Sequence, residues 1–188
     1  MMKKEIANTL LNIVGGNKKI YRFYDEAEES SIDIYFGIDS PQEGVTTYGT
    51  IGLSDYSLGL KLDGNRELRV ELIAACESAR PEFGNILSSC AFNIINTHYP
   101  CFPGVIYPSV ISEYYKNSDM KHILLTTPFL WDDLHPLDDE KNHVTWLMAV
   151  PISDKELKYA QEYGTDVLED VFERKDIDVF DLDRKSAI

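Results

Sequence analysis

The chain has 188 residues and a formal net charge of −14 at neutral pH, from 18 basic and 32 acidic residues. Hydrophobic residues make up 44% of the sequence, which is enough for one domain of ordinary size with a substantial core. A negative field of this strength repels nucleic acid and anionic membranes and attracts basic protein partners. The composition therefore argues against a nucleic-acid-binding or membrane-binding protein.

Helical spacing and alternation predict the first elements of the chain. Ile6, Leu10 and Ile13 lie on one helical face just before Gly15, so we expect a short amphipathic helix that ends at glycine. Residues 32–36 alternate between apolar and other side chains, as a half-buried strand does. Residues 45–53 are rich in β-branched side chains and predict another strand, in which Gly49 and Gly52 indicate a bulge or a close backbone approach.

The clearest predicted strand covers residues 67–72, with Leu68, Val70 and Leu72 facing inward. Pro81 then suits the first turn of a helix that runs to about Thr97. Its apolar side chains follow at helical spacing and predict one buried stripe: Phe83, Leu87, Cys90 and Ile94.

Short apolar runs at residues 105–107, 122–126 and 144–150 predict further strands. Strands on both sides of a long helix, without strict βαβ alternation, favour an α+β fold with a mixed, mainly antiparallel sheet packed with helices. No linker or internal repeat is visible. We therefore expect a single domain over residues 1–188, with a core over about 20–175 and an acidic C-terminal tail.

Two helices are predicted after the last strand. Ser153 and Glu156 have the spacing of a capping box, so a helix should begin here and end at Gly164. Thr165 can cap a second helix. Its apolar residues lie at i, i+3 and i+4 and predict a buried stripe: Leu168, Val171 and Phe172.

Acidic residues are concentrated in the last third of the chain. Residues 132–188 contain 16 acidic and 7 basic residues, a net charge of −9, whereas residues 1–131 have a net charge of −5. Residues 132–142 contain five acids and Pro136, which is typical of an exposed loop. Solvated acidic faces commonly serve solubility, so charge alone leaves solubility and partner binding as alternatives.

The N-terminal residues and the cysteines bear on location. Residues 1–5 contain two lysines but no apolar segment followed by a small-residue cleavage site, and no run approaches the ~18 apolar residues of a membrane span. Cys76, Cys90 and Cys101 are odd in number and lack paired spacing, which is typical of free thiols in a reducing compartment. We therefore expect a cytoplasmic protein.

The sequence contains no complete catalytic or metal-binding pattern. His98 and Cys101 have H-x-x-C spacing, but a zinc site needs about four ligands and no second pair lies nearby. A hydrolase that uses Cys101 and His98 remains a lesser alternative, as does a pairing of Cys76 or Cys101 with His122 or His143. Paired carboxylates lie in polar segments that do not predict a shielded pocket. We expect no enzyme activity, no cofactor and no metal.

Several segments, taken together and in order, resemble the suppressor-of-fused domain family over roughly residues 25–173. The first three are Tyr48 with residues 52–55, residues 68–72 and residues 81–83. The others are residues 102–104, 122–126, 127–129 and 146–152, followed by residues 156–157, 160–161, 164 and 168–169. The resemblance implies a suppressor-of-fused-like single domain that has no catalytic residues and acts through protein contacts.

The family suggests two modes of binding. Its animal member restrains a transcription factor by clasping an extended peptide between two domains, partly by strand addition. The length of this chain leaves no room for the second domain, so we expect that clasp to transfer poorly. Short single-domain members resemble bacterial immunity proteins, which neutralise a toxin inside the producing cell and its kin.

The leading hypothesis is a cytoplasmic immunity protein that binds a cognate secreted or contact-dependent toxin. The toxin is expected to be a nuclease with a basic active-site surface, because an acidic inhibitor can compete with the phosphate backbone for that surface. The candidate contact residues rest on charge and expected exposure: Asp132, Asp133, Asp138, Asp139, Glu140, Glu169, Asp170 and Glu173. The alternative is an intracellular adaptor that binds an extended peptide of a partner protein.

Overall fold

Periodic apolar residues form four α-helices in the computed structural model, which describes residues 2–15, 17–62 and 65–188. The helices are α1 (Met2–Ile13), α2 (Phe83–Thr97), α3 (Asp154–Tyr163) and α4 (Thr165–Lys175). A short 3-10 helix covers Leu53–Asp55. None of these helices combines the length and the apolar character that a bilayer crossing requires. The predicted helix at the N-terminus, the helix after Pro81 and the two helices after the last strand are all present.

The same described residues form eight strands in one sheet. They are β1 (Asn17–Tyr24), β2 (Ser31–Ile38), β3 (Val45–Ile51), β4 (Glu67–Glu77), β5 (Ile106–Tyr107), β6 (Met120–Thr126), β7 (Leu137–Asp138) and β8 (Asn142–Ser153). The order across the sheet is β1-β2-β3-β4-β8-β6-β5, and β7 pairs with β8 outside this path. Strands β4 and β8 are parallel and the other pairs are antiparallel. The predicted mixed, mainly antiparallel sheet is confirmed.

Helices cover both faces of the sheet. On one face, α2 places Phe83, Leu87 and Cys90 against the strands. On the other face, α1, α3 and α4 pack against a second core cluster. Gly49 of β3 allows α1 to approach closely, because a Cβ atom there would lie 2.7 Å from Leu10 Cδ2. The close backbone approach predicted at Gly49 is therefore present.

Strand β4 differs from the half-buried strand that the alternation predicts. Val70 and Leu72 are buried as expected and Leu68 is only half-buried, but Glu71 and Ile73 on the opposite face are also fully buried. Both faces are buried because β4 lies in the middle of the sheet and α1, α3 and α4 cover its second face. Alternation within one segment cannot reveal that second layer.

The buried Glu71 carboxylate organises the turn after β3. It accepts hydrogen bonds from the backbone N–H groups of Gly52 (2.9 Å), Leu53 (3.2 Å) and Ser54 (3.0 Å). The hydroxyls of Thr50 (2.6 Å) and Ser54 (2.7 Å) donate to it as well. Burial raises the pKa of Glu71, whereas these hydrogen bonds act in the opposite direction. Glu71 is therefore a structural acceptor that fixes the start of the 3-10 helix.

The capping box at the start of α3 is confirmed, and it has a further partner. Ser153 Oγ accepts from the Glu156 backbone N–H at 3.2 Å, and Glu156 Oε2 accepts from the Ser153 backbone N–H at 2.7 Å. Glu156 is fully buried and also binds the guanidinium of Arg184. The capping residue therefore connects α3 to the last residues of the chain.

The last residues belong to the core. Leu182 is fully buried, and its carbonyl oxygen accepts from the Ser118 hydroxyl at 2.6 Å. Val179, Arg184 and Ala187 are also buried. At the other end, Ile6 and Leu10 of α1 are fully buried. The core thus extends beyond the predicted limits of 20 and 175, and the last residues are not an exposed acidic tail.

Three smaller differences concern local structure. Gly164, with φ +97°, occupies the N-cap of α4 without a side-chain cap, so the predicted Thr165 cap is wrong. The predicted loop over residues 132–142 contains the short strand β7. Strand β1 has no counterpart among the predicted strands, because its side chains are almost all exposed and give no alternating pattern.

Candidate partner-binding site

Helix α4 presents one acidic face. Its buried stripe, Leu168, Val171 and Phe172, packs on the sheet as predicted. Its carboxylates lie at i, i+3, i+4 and i+7, which places them together on one side of the helix: Asp166, Glu169, Asp170 and Glu173. Like charges four residues apart destabilise a helix by about 0.2–0.5 kcal/mol per pair. These like-charge pairs oppose the stability of the helix, whereas the position of Asp166 in the first turn favours it.

The acidic face borders a cleft of about 620 Å³. Its floor is apolar, from Leu124 of β6, Val150 of β8 and Phe172 of α4, each less than a tenth exposed. Phe129, in the segment after β6, also lines the cleft and is 56% exposed. Asp176 extends the acidic rim beyond the end of α4. The described lining residues thus include five acids and no basic residue, around an apolar floor.

One carboxylate of the rim is fixed by the sheet. The buried Thr126 of β6 donates its hydroxyl to Glu169 Oε2 at 2.6 Å. This hydrogen bond joins the end of β6 to the middle of α4. Asp166, Asp170 and Glu173 are exposed at the rim. The wall of the cleft therefore combines one anchored carboxylate with three that face solvent.

The bases of α4 lie outside this cleft. Arg174 and Lys175 line a separate shallow hollow with Val171 and the last two residues of the chain. The Arg174 guanidinium donates to the Asp170 carbonyl oxygen at 3.1 Å, near the C-terminus of the helix. Neither base therefore lines the cleft, although Arg174 contacts the backbone of Asp170 at its rim.

The structure divides the eight predicted contact residues into two groups. It brings Glu169, Asp170 and Glu173 together in the cleft. The other five lie between Trp131 and β8. Glu140 lines a different hollow, whose residues include Lys61, Arg69 and Lys141. Contact with a partner stays a prediction for both groups.

Two carboxylates of the loop group have structural roles. Asp138 pairs with Arg66 and lies 2.8 Å from His143 Nδ1, and the hydrogen bond to His143 lowers the pKa of its carboxyl. Asp139 accepts from the backbone N–H groups of Lys141 and Asn142, each at 2.7 Å, which lowers its pKa as well. These contacts hold the turn between β7 and β8.

Sequence patterns missed part of the cleft. Asp166 shares the helical spacing of Glu169 and Glu173, so the periodicity of α4 could have identified it. No local sequence pattern predicts that Phe129 is exposed or that the cleft has an apolar floor, because the lining residues come from separate segments of the chain.

The thiols are poorly suited to nucleophilic catalysis. Cys101 and His98 line one small hollow, but burial raises the pKa of Cys101 to about 12 and so disfavours the reactive thiolate. Burial raises the pKa values of Cys76 and Cys90 as well. Over the described ranges, no three His, Cys, Asp or Glu side chains form a group that could hold a metal ion.

Two of the three histidines considered for catalysis, His122 and His143, have structural partners. His122 Nδ1 accepts from the Ser109 backbone N–H at 2.7 Å, so Nε2 is the nitrogen that can donate to Asp154 at 3.0 Å. His143 contacts Asp138 at the β7–β8 turn. In both cases the imidazole stabilises a junction between elements of the fold.

Comparison with known protein families and proteins gives consistent matches. The family model described as suppressor of fused protein (SUFU) matches residues 28–185. The chain is 49% identical over 186 residues to the immunity protein YqcF of Bacillus subtilis (strain 168), covering 98% of this chain and 96% of the relative.

Solved structures share the fold at low sequence identity. A suppressor of fused homolog from Neisseria gonorrhoeae FA 1090 matches with a TM-score of 0.70 and 19% identity, covering all of this chain and 97% of that chain. A chain of the Sufu–Fu complex matches with a TM-score of 0.68 and 17% identity, covering 99% and 92%. Drosophila Suppressor of Fused matches with a TM-score of 0.56 and 16% identity, covering 90% of this chain and 42% of that chain.

Proposed function

The chain belongs to the suppressor of fused protein family, and from this premise we propose that it is an immunity protein that neutralises a cognate protein toxin. The proposed mode is stoichiometric binding in the cytoplasm, without turnover. The observation that carries the proposal is the 49% identity to a Bacillus subtilis immunity protein over nearly the whole of both chains.

The surface chemistry of the chain supports a protein partner. A cleft with an apolar floor and an acidic rim suits a complementary basic protein surface. We further propose that the toxin is a nuclease, because a nuclease needs a basic surface for its substrate and the net charge of −14 would attract that surface. Electrostatic steering raises association rates by about 10- to 1,000-fold, which favours rapid capture of a lethal target.

Co-expression with a toxin tests the proposal. Each candidate toxin domain found in a reading frame next to the gene for this chain is expressed from an inducible promoter, with the chain or with an empty vector. We expect growth to be restored only with the chain, and a complex of the two proteins to co-purify. Growth arrest in the presence of well-expressed, folded chain, with no complex, would contradict an immunity function against that toxin.

The free edge of the sheet favours a second candidate, an adaptor that binds an extended peptide. Among the described residues, strand β1 pairs only with β2, so its outer edge can accept another strand. Ile20, Tyr21 and Tyr24 on this strand are each about half exposed or more. Backbone hydrogen bonds would dominate such binding, so it would respond weakly to salt. If the chain binds a short extended peptide of its partner as tightly as it binds the whole folded partner domain, that result would favour the adaptor.

A further inference from the structure

We infer that the cleft beside α4 is the contact surface for the toxin, and that it takes a basic segment with an apolar side chain flanked by lysine or arginine. The inference rests on the proposed function and adds to it the place of contact and the chemistry of the partner. Three observations support it: the apolar floor, the spacing of the rim carboxylates and the exposure of Phe129.

The floor indicates that the cleft binds more than counterions. A volume of about 620 Å³ lies within the ~300–1,000 Å³ range of sites that enclose ligand groups. Leu124 and Val150 form the bottom, and Phe129 stands at the side with more than half of its surface in solvent. An apolar side chain inserted here would lose its contact with water and would cover Phe129.

The rim indicates a partner with distributed positive charge. The carboxylates from Asp166 to Glu173 extend over eight residues, or about 10 Å along the helix axis. Among the described residues, neither these carboxylates nor any other His, Cys, Asp or Glu side chains form a group of three that could hold a metal ion. Positive groups spaced along a protein segment match this arrangement better than one small cation does.

The cost of the rim argues against a role in solubility alone. Asp166 with Asp170, and Glu169 with Glu173, are like-charge pairs at i and i+4 that repel each other, and of these four carboxylates only Asp166 lies in the first turn, where the helix dipole favours a negative charge. A solvated surface could place the same charges where they do not repel one another. Basic groups of a partner would relieve this repulsion on binding, so complex formation should stabilise the helix.

Three variants with equal changes in net charge test the location. The cleft variant is D166N/D170N/E173Q, which leaves the hydrogen bond between Glu169 and Thr126 intact. The competing-surface variant is D132N/D133N/E140Q. The control variant is E26Q/E29Q/E43Q, whose three carboxylates are exposed at other turns. Each variant removes three negative charges, so any difference in association rate among the variants reflects where the removed charges lie.

Association with the toxin domain is measured by stopped flow at about 50 and 300 mM salt, after circular dichroism confirms that each variant is folded. We expect the cleft variant to associate about 10-fold more slowly at low salt, with a flatter salt dependence. The control variant should change the rate less than 3-fold. An equal or larger decrease for the competing-surface variant would place the contact on the loop and overturn the inference.

Phe129→Ala tests the apolar part of the contact. We expect this variant to dissociate at least 10-fold faster with little change in the association rate, because short-range packing acts after the encounter. Unchanged dissociation would show that the partner does not reach the cleft.

Carbodiimide cross-linking of the wild-type complex locates the contact directly. Cross-links from Asp170 or Glu173 to toxin lysines are expected, and cross-links confined to the loop acids or to the β1 edge would overturn the inference. If the wild-type chain neither binds nor protects, the proposed function fails and the inference fails with it. If the wild-type chain protects and the cleft variant binds normally, only the inference fails.

Discussion

Arg184 lies against Glu156 although 28 residues separate them, with hydrogen bonds of 2.6 Å from Nη1 to Oε1 and 3.0 Å from Nη2 to Oε2. Arg184 is only 6% exposed and Glu156 is fully buried. The same carboxylate caps α3 through Ser153 and accepts from the Ala187 backbone N–H at 2.7 Å. One buried acid thus joins the last strand, α3 and the end of the chain.

Arg184→Met should strongly destabilise the fold. Removing the guanidinium leaves the Glu156 charge buried without its cation, which typically costs about 3–5 kcal/mol. Denaturant unfolding gives the change in the free energy of unfolding. Lys3→Met is the control, because its partner Asp55 lies at 3.0 Å in an exposed pair. An equal effect of the two substitutions would contradict a central role for the buried pair.

Glu71→Gln should lower stability even though the two side chains have nearly the same shape. Backbone N–H groups reach both carboxylate oxygens, so in either orientation the new amide nitrogen faces a donor. We expect a loss of about 1–3 kcal/mol in the free energy of unfolding. Glu43→Gln, at an exposed turn, serves as the reference. A stability equal to that of the wild type would mean that Glu71 is protonated in the fold.

Stability should depend on pH through Asp154. Hydrogen bonds from Lys121 and His122 lower its pKa below the ordinary value of about 3.9, so its contribution is present above that value and is lost as the pH falls through the folded pKa. Asp154→Asn should therefore melt at a lower temperature than the wild type at pH 7. The two proteins should converge once the pH has fallen below the folded pKa of Asp154. A difference of constant size across this range would exclude ionisation of Asp154 as its cause.

The thiols should react slowly and should be dispensable. The raised pKa of Cys101, about 12, leaves very little thiolate at pH 8. We expect labelling by a thiol-specific reagent to be at least about 100-fold slower in the native chain than in the denatured chain. Cys101→Ser should protect cells as well as the wild type does. Loss of protection by this stable variant would revive the hydrolase alternative.

Local patterns predict elements, but they do not predict the partners that elements find in space. The capping box of Ser153 and Glu156 needs only four consecutive residues, and it is present as expected. The pairing of Glu156 with Arg184, and the burial of Glu71 beneath a second helical layer, depend on tertiary packing. Local sequence patterns therefore do not predict that Glu71 and Glu156 are buried.

The candidate site shows the same division. Charge and helical spacing placed Glu169, Asp170 and Glu173 on one helix, and the structure places all three at one cleft. Residues 132–142 had the same acidic signal, yet Asp138 and Asp139 hold a turn within the fold. Composition alone could not separate the carboxylates at the cleft from those that hold a turn.

Titration of the purified toxin's activity with the purified chain tests the central claim most directly. A protein that acts by binding should abolish the activity at a fixed molar ratio, near one chain per toxin, and the inhibited toxin should recover activity when the complex is dissociated. The opposite result is complete loss of toxin activity at a molar ratio far below one chain per toxin, with a loss that increases over time and persists after the complex is dissociated. It would show that one chain acts on many toxin molecules. That result would contradict neutralisation by binding.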